Sequence, residues 1–132
     1  MENENHTIKD FRDLVVWQKA HQLMLGVYEF VGFLPRDEIY NRTSQLKRSS
    51  SSVSANIAEG FGRYHYQENI QFCRQARGSL EETKNHIIAV QDLKQVPLGK
   101  CVSLLHQCEE VRMLLNGSIR NLEKQKLLFK SS

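Results

Sequence analysis

The residues with the chemistry to ligate a metal or carry catalysis are five histidines, three cysteines and a scattered set of carboxylates. Di-iron helical bundles use Glu-x-x-His pairs from two helices, because that spacing turns both ligands inward on one face. No histidine here has a glutamate three residues before it. Glu82 and His86, four apart, also share a helical face, but no second pair joins them. A metal ligand set is therefore not expected, and no other cofactor is called for. There is no Gly-x-Ser-x-Gly elbow and no phosphate-cradling glycine pattern. Gly60-x-Gly62 has no strand before it and reads as a tight connection. Cys73, Cys101 and Cys108 form no CxxC pair and make an odd count. They read as reduced, buried thiols of a cytoplasmic protein. No catalytic residue is assigned, and a non-enzymatic protein is expected.

A second set of residues is basic. Lys47 and Arg48 precede the Gly60-Phe61-Gly62 break, Arg63 follows it, and Arg74 and Arg77 lie three apart further on. Three residues on a helix is one face, so Arg74 and Arg77 are expected to point the same way. Tyr64 and Tyr66 follow Arg63 in sequence; an aromatic there can stack on an exposed base, although Tyr66 fits a core row better. In a single chain such cations are ordinary solvated charges. With 18 basic and 15 acidic residues, the formal net charge of +3 permits polymer binding only through local clustering.

The elements that must position these residues are helical. The chain has 132 residues, the size of one domain, and only seven glycines and two prolines, too few for a turn-rich sandwich or barrel. Pro35, Pro97 and the Gly60-Phe61-Gly62 break divide it into four segments. In the first, residues 11–33, Leu14, Trp17, His21, Met24, Tyr28 and Val31 make a stripe at spacings of three and four, with Asp10 and Asp13 near the positive end of the helix. On this stripe His21 reads as a core histidine. In the second, residues 39–58, Ile39, Leu46 and Val53 recur every seven residues, joined by Thr43, Ser50 and Ile57. Its centre, Ser49 to Ser54, reads either as helix with small side chains that admit a close neighbour, or as a loop. In the third, residues 66–93, the rows are Tyr66, Cys73, Leu80, Ile87 and Ala76, Thr83, Val90. In the fourth, residues 98–129, they are Cys101, Cys108, Leu115, Leu122 with Leu104 and Val111. Four amphipathic segments on short connections bury their stripes most simply as an all-α, antiparallel, up-and-down four-helix bundle over residues 9–130, after a flexible segment 1–8. The polar start lacks a signal peptide, and no apolar run near it approaches the roughly 20 residues that span a bilayer, so no membrane is expected.

The stretch Asn56-Ile57-Ala58-Glu59-Gly60-Phe61-Gly62-Arg63, preceded by Thr43-Ser44-Gln45-Leu46-Lys47-Arg48 and followed by Ala76-Arg77-Gly78-Ser79-Leu80-Glu81, resembles the four-helix-bundle family of 23S rRNA intervening-sequence proteins. Phe11-Arg12-Asp13-Leu14-Val15-Val16-Trp17-Gln18-Lys19-Ala20 resembles that family's first helix, and the likeness covers about residues 8 to 125. The resemblance implies an up-down bundle that assembles as a homopentameric ring. It carries no catalytic residues. Some members are encoded in insertions of 23S rRNA genes, and a related branch, accessory proteins of diversity-generating retroelements, binds nucleic acid and a reverse transcriptase. Two departures stand out. Where the family usually has Arg-Arg-Ala-Ala and then a proline, this chain has Lys47-Arg48-Ser49-Ser50 and Ser54, which implies an unkinked helix with a more polar seam. After Glu81, Glu82-Thr83-Lys84 replaces the usual apolar residue and acid.

In a ring, each cation repeats with the symmetry and a few become a belt that can hold a phosphate backbone. Lys47, Arg48, Arg63, Arg74 and Arg77 are accordingly the candidate nucleic-acid-binding residues, and structured RNA or another nucleic acid the candidate partner. The competing expectation is a scaffold that docks a partner protein without a direct nucleic-acid role. The Asn56–Arg63 motif has two readings. Glu59 and Arg63 form a recognition point, or Asn56 and Glu59 satisfy helix-end groups, Glu59 pairs with Arg63, and Gly60 ends the helix.

Overall fold

The computed structural model describes residues 7–129. Residues 1–6 and 130, to which the expected flexible segment and the end of the expected bundle extend, lie outside the described residues. Four helices carry the fold: α1 (Val15–Phe30), α2 (Arg42–Phe61), α3 (Tyr66–Asp92) and α4 (Leu98–Phe129), with 3-10 turns before and after α1 and ahead of α2. No strand occurs among the described residues, and the all-α expectation holds.

Pairings between helices fix the directions. As residue numbers rise on α2, partners fall on α3: Arg42 meets His86, Ser49 meets Thr83, and Ser52 meets Ser79. The same reversal relates α3 to α4 through Gln67–Lys126, Arg74–Glu123 and Arg77–Asn116. Lys19 pairs with Glu110 and Gly26 abuts Leu104, so α1 also runs against α4. Each helix packs on two neighbours, while α1–α3 and α2–α4 lie on the diagonals of the square. The bundle is antiparallel and up-and-down.

Local chemistry sets each boundary. Asp10 accepts from the Arg12 backbone N–H, while Asp13 accepts from the N–H groups of Lys9 and Asp10. The two carboxylates close the turn that delivers the chain into α1. Before α2, the Glu38 carboxylate accepts from the Asn41 amide, the Arg42 N–H and the Gln95 amide, tying this connection to the α3–α4 turn. The Gln95 hydrogen bond, followed by those of Arg42 and Asn41, holds the Glu38 carboxyl below its usual range. At the end of α3, Gln95 N–H donates to the Val90 carbonyl and Lys94 N–H to that of Gln91. Lys94 has φ of 56°, so it fills the left-handed position that glycine usually takes in this motif.

The seven-residue rows of α2, α3 and α4 form the core. Leu46, Val53 and Ile57 face Cys73, Ala76, Leu80, Ile87 and Val90, with Cys101, Leu104, Cys108, Val111 and Leu115 opposite, all buried. The ends of the rows drift outward. Tyr66 and Leu122 are half-buried, and Ile39, which precedes α2, is exposed.

In α1 the buried row is Val16, Ala20, Leu23, Val27 and Phe30. Of the expected stripe, Val31 is buried, whereas Leu14, Trp17, His21, Met24 and Tyr28 sit at the rim instead. The two rows differ by roughly 100° about the axis. Small and medium side chains such as Ala20 and Val27 let α1 close onto α2 and α4. Trp17 and His21, each with a polar tip, stack on one another at 4.7 Å at the boundary with water. His21 is therefore not a core histidine.

The serine run is helix, not loop. Ser49, Ser50 and Ser54 are buried, and each hydroxyl donates back to the carbonyl three residues earlier. That local bond satisfies a hydroxyl which would otherwise compete with the helix. The Thr83 hydroxyl meets Ser49 Oγ at 2.8 Å and the Ser79 carbonyl at 2.9 Å, its one proton serving either. Ser79 donates to Ser52 Oγ at 2.9 Å. The α2–α3 seam is thus lined by hydroxyls in place of leucines.

Candidate nucleic-acid interface

The five candidate cations fall in three places. Lys47 and Arg48 lie exposed on the first half of α2, beside α1. The Lys47 ammonium sits 5.2 Å from the centroid of the Tyr28 ring, a cation–π contact that steadies a flexible chain. Arg63 is in the α2–α3 turn, 2.6 Å from Glu59 and 4.8 Å over the Phe72 ring. Arg74 and Arg77 both turn toward α4, as their spacing requires. Arg74 pairs with Glu123 at 3.2 Å, and Arg77 donates to the Asn116 side-chain oxygen at 2.9 Å. The α1–α2 and α3–α4 seams are opposite sides of the square, so one chain does not bring the five together.

What distinguishes Lys47 and Arg48 is their company. They line a groove of about 470 Å³ with Tyr28, Ile39, Tyr40, Thr43, Ser44 and Ser51. This lining contains no carboxylate, whereas Arg63 and Arg74 are each partly neutralised by a glutamate. Tyr40 is 94% exposed, and the Tyr28 hydroxyl lies 3.5 Å from Ser51 Oγ. Tyr28 was expected in the α1 core, and the sequence offers no periodic signal for Tyr40, which stands in the connection ahead of α2. An aromatic inside a short polar connection, seven residues before a Lys-Arg pair, is the one trace of this groove in the sequence.

Tyr64, also exposed, meets His65 edge-on at 4.9 Å, while Tyr66 is half-buried. In the Asn56–Arg63 motif, Asn56 donates to the Ser52 carbonyl at 2.9 Å and to Ser52 Oγ at 3.0 Å, one turn back within the helix and not at its end. The Glu59–Arg63 pair forms as expected. Gly60 does not end the helix. It is buried in the last turn of α2, where a Cβ would lie 2.6 Å from Asn69 Oδ1 and 2.9 Å from Phe72 Cβ. Closure falls to Gly62, whose N–H donates to the Ala58 and Glu59 carbonyls. The absence of a Cβ at Gly60 serves the approach of α3.

Among the described residues, no group of three or more His, Cys, Asp or Glu converges to hold a metal ion. Glu82 and His86 do approach, at 3.5 Å. Arg42 Nη1 lies 2.8 Å from His86 Nδ1; since guanidinium only donates, Nδ1 is the acceptor. The three cysteines are buried. Burial pushes the Cys73 thiol up to about 11 and Cys108 up to about 12, and raises Cys101 as well. These are packing groups, not nucleophiles. No helix among the described residues is long and apolar enough to cross a membrane.

Comparison with known proteins gives a family and a fold. The family model described as 23S rRNA-intervening sequence protein matches residues 12–117. A crystal structure of a protein with unknown function from the S23 ribosomal protein family of Bacteroides thetaiotaomicron VPI-5482 is similar, with a TM-score of 0.75 and 21% identity. The match covers 80% of this chain and 98% of that one and shows a shared fold. No curated protein matches the chain.

Proposed function

Since the chain belongs to the 23S rRNA-intervening sequence protein family, we propose that it is a non-enzymatic nucleic-acid-binding protein which works as a ring of identical chains. Lys47 and Arg48 are its leading phosphate-facing cations. The observation that carries this reading is the carboxylate-free groove holding both cations beside Tyr28 and Tyr40. Phosphate contacts from lysine and arginine give largely sequence-independent, salt-sensitive affinity. In the five-fold ring that the family resemblance implies, the pair recurs in every copy; Arg77, held by the neutral Asn116 amide, extends the belt, as do Arg63 and Arg74 at lower effective charge. The family's name makes structured RNA the first probe.

The test is fluorescence anisotropy of a labelled RNA hairpin between 50 and 200 mM salt, comparing the native chain with Lys47→Gln/Arg48→Gln. Expected is a loss of affinity and a shallower salt slope, by roughly 0.7 to 0.9 for each lost phosphate contact. Unchanged affinity and slope refute the assignment. One observation favours a protein-docking role in that event: Leu127, Leu128 and Phe129 end α4 as an exposed apolar tip.

A further inference from the structure

Resting on the nucleic-acid reading, we infer that the α1–α2 groove takes an unpaired nucleotide, with its base stacked on Tyr40 and its phosphates on Lys47 and Arg48. Tyr40 is 94% exposed and Ile39 beside it is 52% exposed, so a flat, apolar platform stands open at the rim. Tyr28 contributes a second ring, 45% exposed, but its face is already taken by the Lys47 ammonium. Its hydroxyl remains, next to that of Ser51. Ser44 and Thr43 add two more along the floor.

This combination selects among anionic polymers. A duplex offers phosphates, but away from its two end pairs both faces of each base are covered by its neighbours, leaving Tyr40 nothing to stack on along its length. An unpaired base in a loop, bulge or single strand offers a free π-face and free edges together with the phosphate. An acidic peptide matches the two cations and leaves the tyrosine ring without a flat partner. The hydroxyls, which both donate and accept, suit base edges and sugar without demanding one base. The site therefore prefers unpaired nucleotides with little sequence discrimination.

Anisotropy with a short single-stranded RNA and a blunt duplex of equal length, at one salt concentration, tests this. The single strand is expected to bind the native chain more tightly. Tyr40→Ala is expected to weaken the single strand by roughly 5- to 150-fold, the stacking contribution of one base, and to leave the duplex unchanged, while Tyr40→Phe retains the preference. Because Tyr40 is so exposed, its replacement leaves the fold intact, which circular dichroism checks. Equal binding of both probes with a silent Tyr40→Ala overturns the inference and leaves the nucleic-acid function standing. No binding of either probe removes both. If Tyr40→Ala changes the assembly mass by native mass spectrometry, Tyr40 is covered by a second copy and the nucleotide assignment falls.

Discussion

Replacing Gly60 with alanine should destabilise the bundle, although the same change in an exposed helix interior stabilises one. The new methyl carbon would lie 2.6 Å from Asn69 Oδ1, 2.9 Å from Phe72 Cβ and 3.3 Å from the Asn69 carbonyl oxygen. The first contact is with a side-chain end that can rotate, at the expense of the hydrogen bond it accepts from Cys73. The other two are fixed to the α3 backbone, so α3 itself must move. Overpacking of this kind costs about 1–3 kcal/mol, and rigid neighbours put it in the upper part of that range. Alanine returns about 1 kcal/mol of helix propensity, leaving a net loss of about 1–2 kcal/mol. Gly78 is the internal control: it is exposed in the middle of α3, and a Cβ there meets nothing within 4 Å. Gly78→Ala should therefore gain about 0.5–1 kcal/mol. Urea unfolding followed at 222 nm separates the two, with a midpoint about 0.5–1 M lower for Gly60→Ala and modestly higher for Gly78→Ala. Adding Asn69→Ala to Gly60→Ala should recover only part of the loss, because Phe72 Cβ stays in place. A Gly60→Ala protein as stable as the native chain would refute the close-approach reasoning.

Three further outcomes follow from the backbone and the thiols. Lys94 holds a left-handed conformation that costs a side-chain-bearing residue about 1–2 kcal/mol; part of this is offset by glycine's greater freedom in the unfolded chain. Lys94→Gly should raise stability by about 0.5–1 kcal/mol and the melting temperature by about 2–4 °C, and a lower melting temperature by circular dichroism would sink that account. For the cysteines, burial raises the folded thiols above the ordinary value of 9.0, to about 11 for Cys73 and about 12 for Cys108. In this range the native state binds protons that the unfolded state releases, so stability is complete below pH 9.0 and falls as pH climbs toward 11 and 12. Urea midpoints measured from neutral pH to pH 10.5 read this decline. A disulfide-exchange reagent at pH 7.5 should meet no reactive thiol until denaturant is added, and prompt labelling of the native chain would contradict it.

The fold was legible wherever hydrophobic spacing had one solution. In α3, Cys73–Leu80–Ile87 and Ala76–Thr83–Val90 are the apolar and small rows, and both face inward. In α1, two adjacent rows were apolar enough to serve, and side-chain volume, which periodicity does not weigh, decided between them. The serine run was ambiguous because propensity speaks against helix there; its hydroxyls turn back on carbonyls of the same helix, and the further partners Thr83 and Ser79 appear only once α2 and α3 are packed. The candidate site was legible as residue types and not as a place. Lys47 and Arg48 are adjacent in sequence and share the groove, but whether Arg74 carries an acid partner depends on Glu123, on another helix. Tyr40 carries no periodic signal in the sequence, because an isolated aromatic in a connection belongs to no repeat.

The hydroxyl-lined seam also governs when this chain is open to covalent change. Ser49, Ser50 and Ser54 look in sequence like an accessible serine tract, yet all three are buried between helices in the folded chain. A phosphate added there would bring a charge of about −1.5 to −2 into a contact built for hydroxyls. Modification at these positions therefore opposes the bundle, because a buried, unpaired charge is costly. A kinase could reach them only before the other helices close on α2, and a chain marked at that moment would be hindered from folding instead of being regulated within the fold.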